Sequence, residues 1–394
     1  MNNSSEQLIG KHPRIEAVDA LRGFAVMAIL LVHNLEHFIF PVYPADSPGW
    51  LNALDQGVFN VVFTLFAGKA YAIFALLFGF TFYIQSDNLK RRGGDFGYRF
   101  LWRLLLAGFA TLNAAFFPAG DVLLLFVIAG LVLFFTRNWG DGAILAAAVV
   151  FLLQPVEWYH CIAGLLNPAH RLPDLGVGEM YARVAEYTKA GNFGDFILGN
   201  VTLGQKASLL WAVNAGRFVQ TAGLFLLGFY IGRKQLFAAT EKNLRFWVKT
   251  LIVSAIAFAP LYTLRELVMD NGAVVGQTAG TALDMWQKLA FTLVLVASFI
   301  LLYQRRKFSA AVAGLRFYGR MSLTNYISQS VIGAFVYFPF GLYLAPRCGY
   351  TASLLVGILV FLLQVRFCKW WLGRYKQGPL EYIWHKWTWI GTDK

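Results

Sequence analysis

Arg14–Phe40 reads RIEAVDALRGFAVMAILLVHNLEHFIF. It is an apolar span entered through Asp19, Arg22 and Gly23 and left through His33, Asn34, Glu36 and His37. Insertion of Arg, Lys or Asp at the centre of a membrane helix costs roughly 2.5–3.5 kcal/mol. A first span that keeps so many ionisable groups near its ends reads as a working part rather than a plain anchor.

The rest of the composition agrees with a membrane protein. Hydrophobic residues make up 58% of the 394 residues and charged residues 14%, against roughly 25% charged in an ordinary soluble domain. The net charge of +13 does not point to nucleic acid, because the positives fall in short clusters between apolar runs. The three cysteines, Cys161, Cys348 and Cys368, form no zinc pattern. The first apolar run is long enough to span and carries no A-x-A site, so it is expected to persist as a helix.

Ten runs approach the roughly 20 apolar residues a span requires, at 20–40, 58–84, 98–117, 121–136, 141–158, 211–232, 246–266, 282–303, 322–341 and 351–371. The expected fold class is therefore all-α: a polytopic bundle of about ten transmembrane helices in one domain over 1–394. The second run, with Lys69 and two glycines, also reads as an interfacial segment followed by a span. With both termini placed in the cytoplasm, 24 of the 34 Lys and Arg residues fall in or beside cytoplasmic segments, and the short outer loops near 41–57, 117–120 and 267–281 hold none. That asymmetry is the positive-inside pattern. Residues 159–210 form a long outer connection, a packed cap or the wall of a site. Within it Met180, Val184 and Tyr187 share a helical face ahead of a turn at Gly191-Asn192. Residues 373–394, with Trp384 and Trp387, read as an interfacial segment. Cys161 and Cys348 both fall on the outer side, so a disulfide between them is weighed against two free thiols, the commoner outcome.

Several polar groups are placed where chemistry is carried. His33 and His37 are one turn apart with Glu36 beside them. HNLEH fits the H-x-x-E-H zinc pattern, but a metal site needs a third ligand, for which only Glu157, His160 or His170 are at hand; no metal is expected. His33 lies roughly 20 Å along the helix from Asp19, at the depth of Asn113 and Asp121. An imidazole oriented by an amide or carboxylate is the usual general base, so these three form the catalytic candidate. Asp121 also reads as a simple helix cap. Asp19 and Arg22, three residues apart, form an ion pair able to aim Arg22 at a phosphate, or are merely a helix-start carboxylate and a snorkelling arginine. Asn34, Glu36, His37, Arg320, Asn325 and Gln329 complete the candidate binding residues.

These blocks together resemble the YeiB-like family of bacterial membrane proteins, which is similar to a larger group of transmembrane acyltransferases that includes the lysosomal heparan-alpha-glucosaminide acetyltransferase. The resemblance rests on VDALRGFAVMAILLV, LFGF (Leu77–Phe80), AGDVL (Ala119–Leu123), GLFLLGFYIGRKQLF (Gly223–Phe237), GRMSLTNYISQS (Gly319–Ser330) and GPLEYIWHKWTW (Gly378–Trp389). Three positions depart from the family pattern: His33 stands for an asparagine, Asn113 for a histidine and His385 for an arginine. The first two amount to an exchange of His and Asn.

The resemblance implies an acyltransferase of the bacterial inner membrane. Acyl-CoA, most simply acetyl-CoA, would bind from the cytoplasm with its phosphates near Arg22 and one of Arg99, Arg103 or Arg320. His33, helped by Asn113 and Asp121, would act as base or nucleophile toward a small-molecule or glycan acceptor on the outer side. Membrane lipids are the expected surroundings, and a homodimer is left open. The competing class is a transporter or flippase of a small solute or lipid. It is disfavoured because no internal repeat and no pair of broken helices stands out. The charge asymmetry makes a direct prediction. A cysteine placed at Asn192 is labelled by an impermeant reagent from outside and one at Gly93 is not; the reverse pattern overturns the orientation.

Overall fold

The computed structural model describes residues 14–36, 42–91, 93–104, 106–269 and 273–390. Among them the chain is helical throughout, with no strand. The opening motif forms α1 (Glu16–Glu36); His37 lies outside the described residues. The second run divides into α2 (Gly49–Phe66) and α3 (Lys69–Lys90) at Gly68, whose φ of +76° suits glycine. The third run divides into α4 (Phe96–Arg103) and α5 (Leu106–Phe116). α6 (Leu123–Thr136) leads into α7 (Asp141–Leu152). α7 meets α8 (Pro155–Leu166) at a 46° bend. Pro155 cannot continue the α7 hydrogen-bond ladder but suits the first turn of a new helix.

The segment expected as a connection is itself mostly helical. α9 (Val177–Ala190) ends at Gly191, followed by α10 (Phe193–Gly199), a π-helical turn at Asn200–Gly204 and α11 (Gln205–Asn214). α9 matches the expected amphipathic helix and buries Val184. Next come α12 (Arg217–Arg233), α13 (Glu241–Met269), α14 (Val274–Tyr303), α15 (Arg306–Ala311) and α16 (Ala313–Arg320). α17 (Ser322–Tyr337), α18 (Tyr350–Leu372) and α19 (Pro379–Thr388) close the described chain.

Five helical stretches among the described residues are long and apolar enough to cross a membrane: α1, the α2–α3 stretch, α13, α14 and α18. The bent α7–α8 pair makes a sixth if taken as one span. α6, α12 and α17 have 14, 17 and 16 residues, only about 21–26 Å at 1.5 Å per residue, shorter than the roughly 30 Å hydrocarbon core. The disulfide is not formed: Cys161, Cys348 and Cys368 are all free. Cys161 sits in α8, whereas Cys348 packs beside the Phe338 and Tyr337 cluster at the end of α17.

Two glycine pairs let helices meet backbone to backbone. A Cβ on Gly79 of α3 would stand 1.9 Å from the Phe225 carbonyl oxygen of α12, and one on Gly228 of α12 would stand 1.9 Å from that of Leu76. Likewise a Cβ on Gly23 of α1 would meet the Leu315 carbonyl oxygen of α16 at 2.1 Å, and one on Gly319 that of Asp19 at 2.0 Å. All four glycines lie in the motifs that carry the family resemblance. Around the first crossing Phe78 stacks on Phe225 at 4.7 Å, and Phe82 packs edge-on against Phe229 at 5.2 Å.

The last helix holds the start of α17. Glu381 of α19 accepts the backbone N–H groups of Leu323 (2.8 Å) and Thr324 (3.1 Å) on one oxygen and the Thr324 hydroxyl (2.6 Å) on the other. The Thr324 hydroxyl in turn accepts the Leu380 N–H at 3.2 Å. This is a helix N-cap supplied from a distant segment. Burial pushes the Glu381 carboxyl above its ordinary range, while the bonds from Thr324 and Leu323 pull the other way.

Gly79→Ala and Gly228→Ala are each expected to lower thermal stability in detergent markedly, since overpacking costs about 1–3 kcal/mol or more. Gly142→Ala, where a Cβ meets nothing within 4 Å, is expected to be neutral or slightly stabilising. Equal melting temperatures for all three would overturn the close-crossing account. Glu381→Ala should cost about 1–2 kcal/mol as a lost cap. Glu381→Gln, which keeps an acceptor for the two N–H groups, should cost less, read from the same melting curves.

Candidate functional site

The site is built around the start of α6. Asp121 accepts the N–H groups of Leu123 and Leu124, each at 3.2 Å, so it caps that helix. The same carboxylate accepts the Asn113 side-chain amide of α5 at 2.9 Å. The Asn113 carbonyl oxygen accepts the Ser330 hydroxyl of α17 at 2.7 Å, and the Asp121 main-chain carbonyl accepts the Ser208 hydroxyl of α11 at 2.7 Å. Four elements are tied together through one buried acid. Such a network is stabilising only when its members are paired, because unpaired buried polar groups are costly.

Two cavities flank this network. The first, of about 510 Å³, is lined by His33, Glu36, Asp121, Tyr181, Arg217 and Lys288, with Tyr71 and Trp211 among its aromatic walls. The His33 ring lies 4.4 Å from that of Phe117 and meets Tyr326 edge-on at 6.1 Å. Tyr181 of α9 donates to the Ala119 carbonyl at 2.9 Å and so straps the long connection onto the cavity. Burial pushes its phenol up to about 12.

The second cavity, of about 250 Å³, is lined by Arg14, Arg22, Arg103, Arg320 and Glu381, with Phe74, Phe78, Phe100 and Phe126 deeper in. Arg22 donates to the Thr81 hydroxyl at 2.8 Å and pairs with Asp19 at 3.4 Å; Arg14 pairs with the same carboxylate. The Arg103 guanidinium stacks on Trp384 of α19 at 3.8 Å, and the Trp384 indole N–H donates to the Arg103 carbonyl at 2.9 Å. Arg320 donates to the Lys376 carbonyl at 3.2 Å. The result is a cationic mouth leading to an aromatic interior, suited to an amphipathic anion.

A thin apolar layer separates the two. Tyr326 lines the arginine cavity and touches His33 of the other; Leu123 faces the arginine cavity, while Val122 and Leu125 face the histidine cavity. Arg22 and His33 lie on the same helix, about 16 Å apart along its axis at 1.5 Å per residue.

The candidate residues from His33 to Arg22 are thus divided between two cavities with a partition between them. His33 and Asp121 both line the first cavity, and Asn113 stands behind Asp121 rather than in the cavity. The Asn113 amide is engaged by Asp121 and Ser330. Asp19 orients the arginines without lining either cavity. Glu36 lines the histidine cavity and Arg320 the arginine cavity. Asn34 bonds the Leu30 carbonyl and Tyr337. Asn325 bonds the Tyr318 carbonyl and Cys368. Gln329 is buried in the seam between α1, α17 and α18. These three line neither large cavity. Arg99 turns to the Ile390 carbonyl at 2.9 Å, away from both cavities. Among the described residues no three His, Cys, Asp or Glu side chains converge as metal ligands.

Sequence reading passes over Arg217, Lys288 and Tyr181, and takes Glu381 only as an acid suited to the first turn of its own helix. A signal existed for Lys288, an ionisable residue inside an apolar run. None existed for Tyr181, whose role depends on how α9 folds back.

Residues 231–391 match the family model described as a protein of unknown function, DUF418. Over 98% of this chain and 97% of the relative, the sequence is 24% identical to the uncharacterized protein YxaH of Bacillus subtilis (strain 168). It is 25% identical to an uncharacterized 39.9 kDa protein in the amylase 3' region of Bacillus acidopullulyticus, over 95% of this chain and 94% of that one. It is also 25% identical to the uncharacterized protein YeiB of Escherichia coli (strain K12), over 94% of this chain and 95% of that one. No solved structure matches. The acyltransferase side of the resemblance has no counterpart in these matches. From its opening motif to its closing one, the chain is similar to these uncharacterized relatives, in line with the resemblance to the YeiB-like family, and its residues 231–391 carry the DUF418 signature of unknown function.

Proposed function

We propose that this chain is a membrane-embedded acyltransferase that moves an acyl group, most simply acetyl, from cytoplasmic acyl-CoA to an acceptor on the other side of the membrane. In this reading the protein sits in the bacterial inner membrane as one domain, with about ten crossings and both termini inside. The short helices α6, α12 and α17 then serve as partial spans. The arginine cavity faces the cytoplasm and the histidine cavity faces out. One observation carries the reading: a cationic, aromatic-lined cavity and a histidine-bearing cavity approach each other across Tyr326.

Arg22, Arg103 and Arg320 would hold the donor's phosphates at the mouth, and the phenylalanines would take the pantetheine arm. Rotation of Tyr326 would bring the thioester carbonyl to His33. The His33 imidazole takes the proton of the acceptor amine or hydroxyl as the acceptor attacks the carbonyl carbon. The C–S bond then breaks, and the CoA thiolate leaves and is protonated. Asp121, positioned by Asn113, stabilises the imidazolium. The same paired cavities also suit alternating access, so transport is the second reading.

Purified protein given acetyl-CoA is expected to release free thiol. His33→Ala should cut that rate by about 10²–10⁴-fold, the usual worth of a general base, with an unchanged melting temperature. Arg103→Ala should chiefly raise KM for acetyl-CoA. Wild-type protein that releases no thiol, yet carries solute across proteoliposome membranes, would replace this reading with transport.

A further inference from the structure

Arg217 of α12 and Lys288 of α14 bring two cations to the lining of the histidine cavity, where the Glu36 and Asp121 carboxylates also stand. The Arg217 guanidinium lies 4.5 Å from the centre of the Trp211 ring and 5.2 Å from that of Tyr71. Aromatic cover of this kind occupies the flat faces of a guanidinium and leaves its N–H edge as a fork for an oxyanion. Among the described residues no carboxylate pairs with Arg217. Lys288 shares Asp284 with Arg265, whose Nε lies 3.1 Å from that carboxylate. Lys69, only 4% exposed, sits 5.7 Å over the Phe291 ring, again with no carboxylate partner among the described residues. Lys69 and Arg265 stand outside the cavity lining; Lys288 and Arg265 share Asp284, Arg265 also pairs with Glu266, and Arg217 and Lys69 are left with no carboxylate pair among the described residues. Cations gathered in a largely buried wall are costly unless an anion joins them.

We infer that this wall binds an anionic group, a phosphate or carboxylate, and that the acceptor is a small molecule carrying that group at one end and its amine or hydroxyl at the other. Arg217 and Lys288 hold the anion. Tyr71, Trp211 and Tyr181 enclose the body of the molecule, and its nucleophile reaches His33 and Asp121. The acceptor assignment rests on the acyltransferase reading; the anion site does not. The anion comes from a soluble acceptor or from the headgroup of an anionic lipid, and the two sources are separable by experiment.

The test measures thermal protection of the purified full chain in an uncharged detergent by inorganic phosphate and, separately, by acetate, against chloride at equal ionic strength. Protection should saturate. Arg217→Gln should weaken it by about tenfold or more, the worth of a charged hydrogen bond, and Arg217→Lys should restore part of it. His33→Ala should bind the anion as wild type does. In phosphatidylcholine nanodiscs, protection by soluble phosphate marks a soluble acceptor. Protection that appears only when phosphatidylglycerol is included, and is lost in Arg217→Gln, marks a lipid headgroup. The inference falls if none of the three anions protects beyond chloride, or if Arg217→Gln binds as tightly as wild type. Anion binding without thiol release from acetyl-CoA would keep the site and remove the acyltransferase reading. Transfer that prefers neutral acceptors and is unchanged in Arg217→Gln would keep the acyltransferase reading and remove the anionic acceptor.

Discussion

Backbone meeting backbone at Gly79–Gly228 and Gly23–Gly319 is the constraint on which the rest of the molecule depends. In a membrane, lipid tails are as apolar as leucine, so helices associate through close packing and hydrogen bonding rather than by escaping water. Where a Cβ would come within about 2 Å of a carbonyl oxygen, only glycine allows the crossing. The contacts Tyr71 with Thr221, Phe78 with Phe225 and Phe82 with Phe229 advance together along both chains, so α3 and α12 run parallel. Both therefore begin on the same side, at Lys69 and Arg217. That shared start puts Lys69 and Arg217 at the same end of the pair. The second crossing fixes α1 against α16, placing Arg22 and Arg320 at one cavity.

The short helices turn this packing into a site. α6 starts inside the protein, and two of its free N–H groups are taken by the buried Asp121. The acid is thereby held inside the protein by the helix it caps. Asn113 donates to it and is itself held by Ser330, while Ser208 donates to the Asp121 main-chain carbonyl. α17 also starts inside, and Glu381 caps it from the far end of the chain. Each internal helix start needs an acceptor, and these acceptors are the acids that border the cavities. Structural necessity and candidate chemistry coincide at the same carboxylates.

Much of this was legible along the chain. The apolar runs locate α1, α3, α13, α14 and α18, and the spacing of Met180, Val184 and Tyr187 locates α9. The depth argument for His33, Asn113 and Asp121 brings the right elements together, because rise per residue is nearly constant in a helix. It does not say which way each side chain turns. Asn113 turns behind Asp121, and Asn34 and Asn325 turn into packing seams. Polarity in an apolar run marks a group that needs a partner; it does not distinguish a packed neighbour from a ligand. Lys69 and its neighbouring glycines signalled the break at Gly68, whereas the one at Gln154–Pro155 was read through as part of a single run over 141–158.

Hydropathy, charge placement and the motif blocks determined the helical character of the chain, its apolar spans and its resemblance to the YeiB-like family, because each is a property of short stretches of chain. Only the tertiary structure decided which polar residues share a cavity. Asn113 meets Ser330, Asp121 meets Ser208, Thr324 meets Glu381 and Tyr71 meets Arg217 across separations of 57 to 217 residues. Those meetings follow from helix rotation and depth, and both are set by where glycine lets two backbones touch.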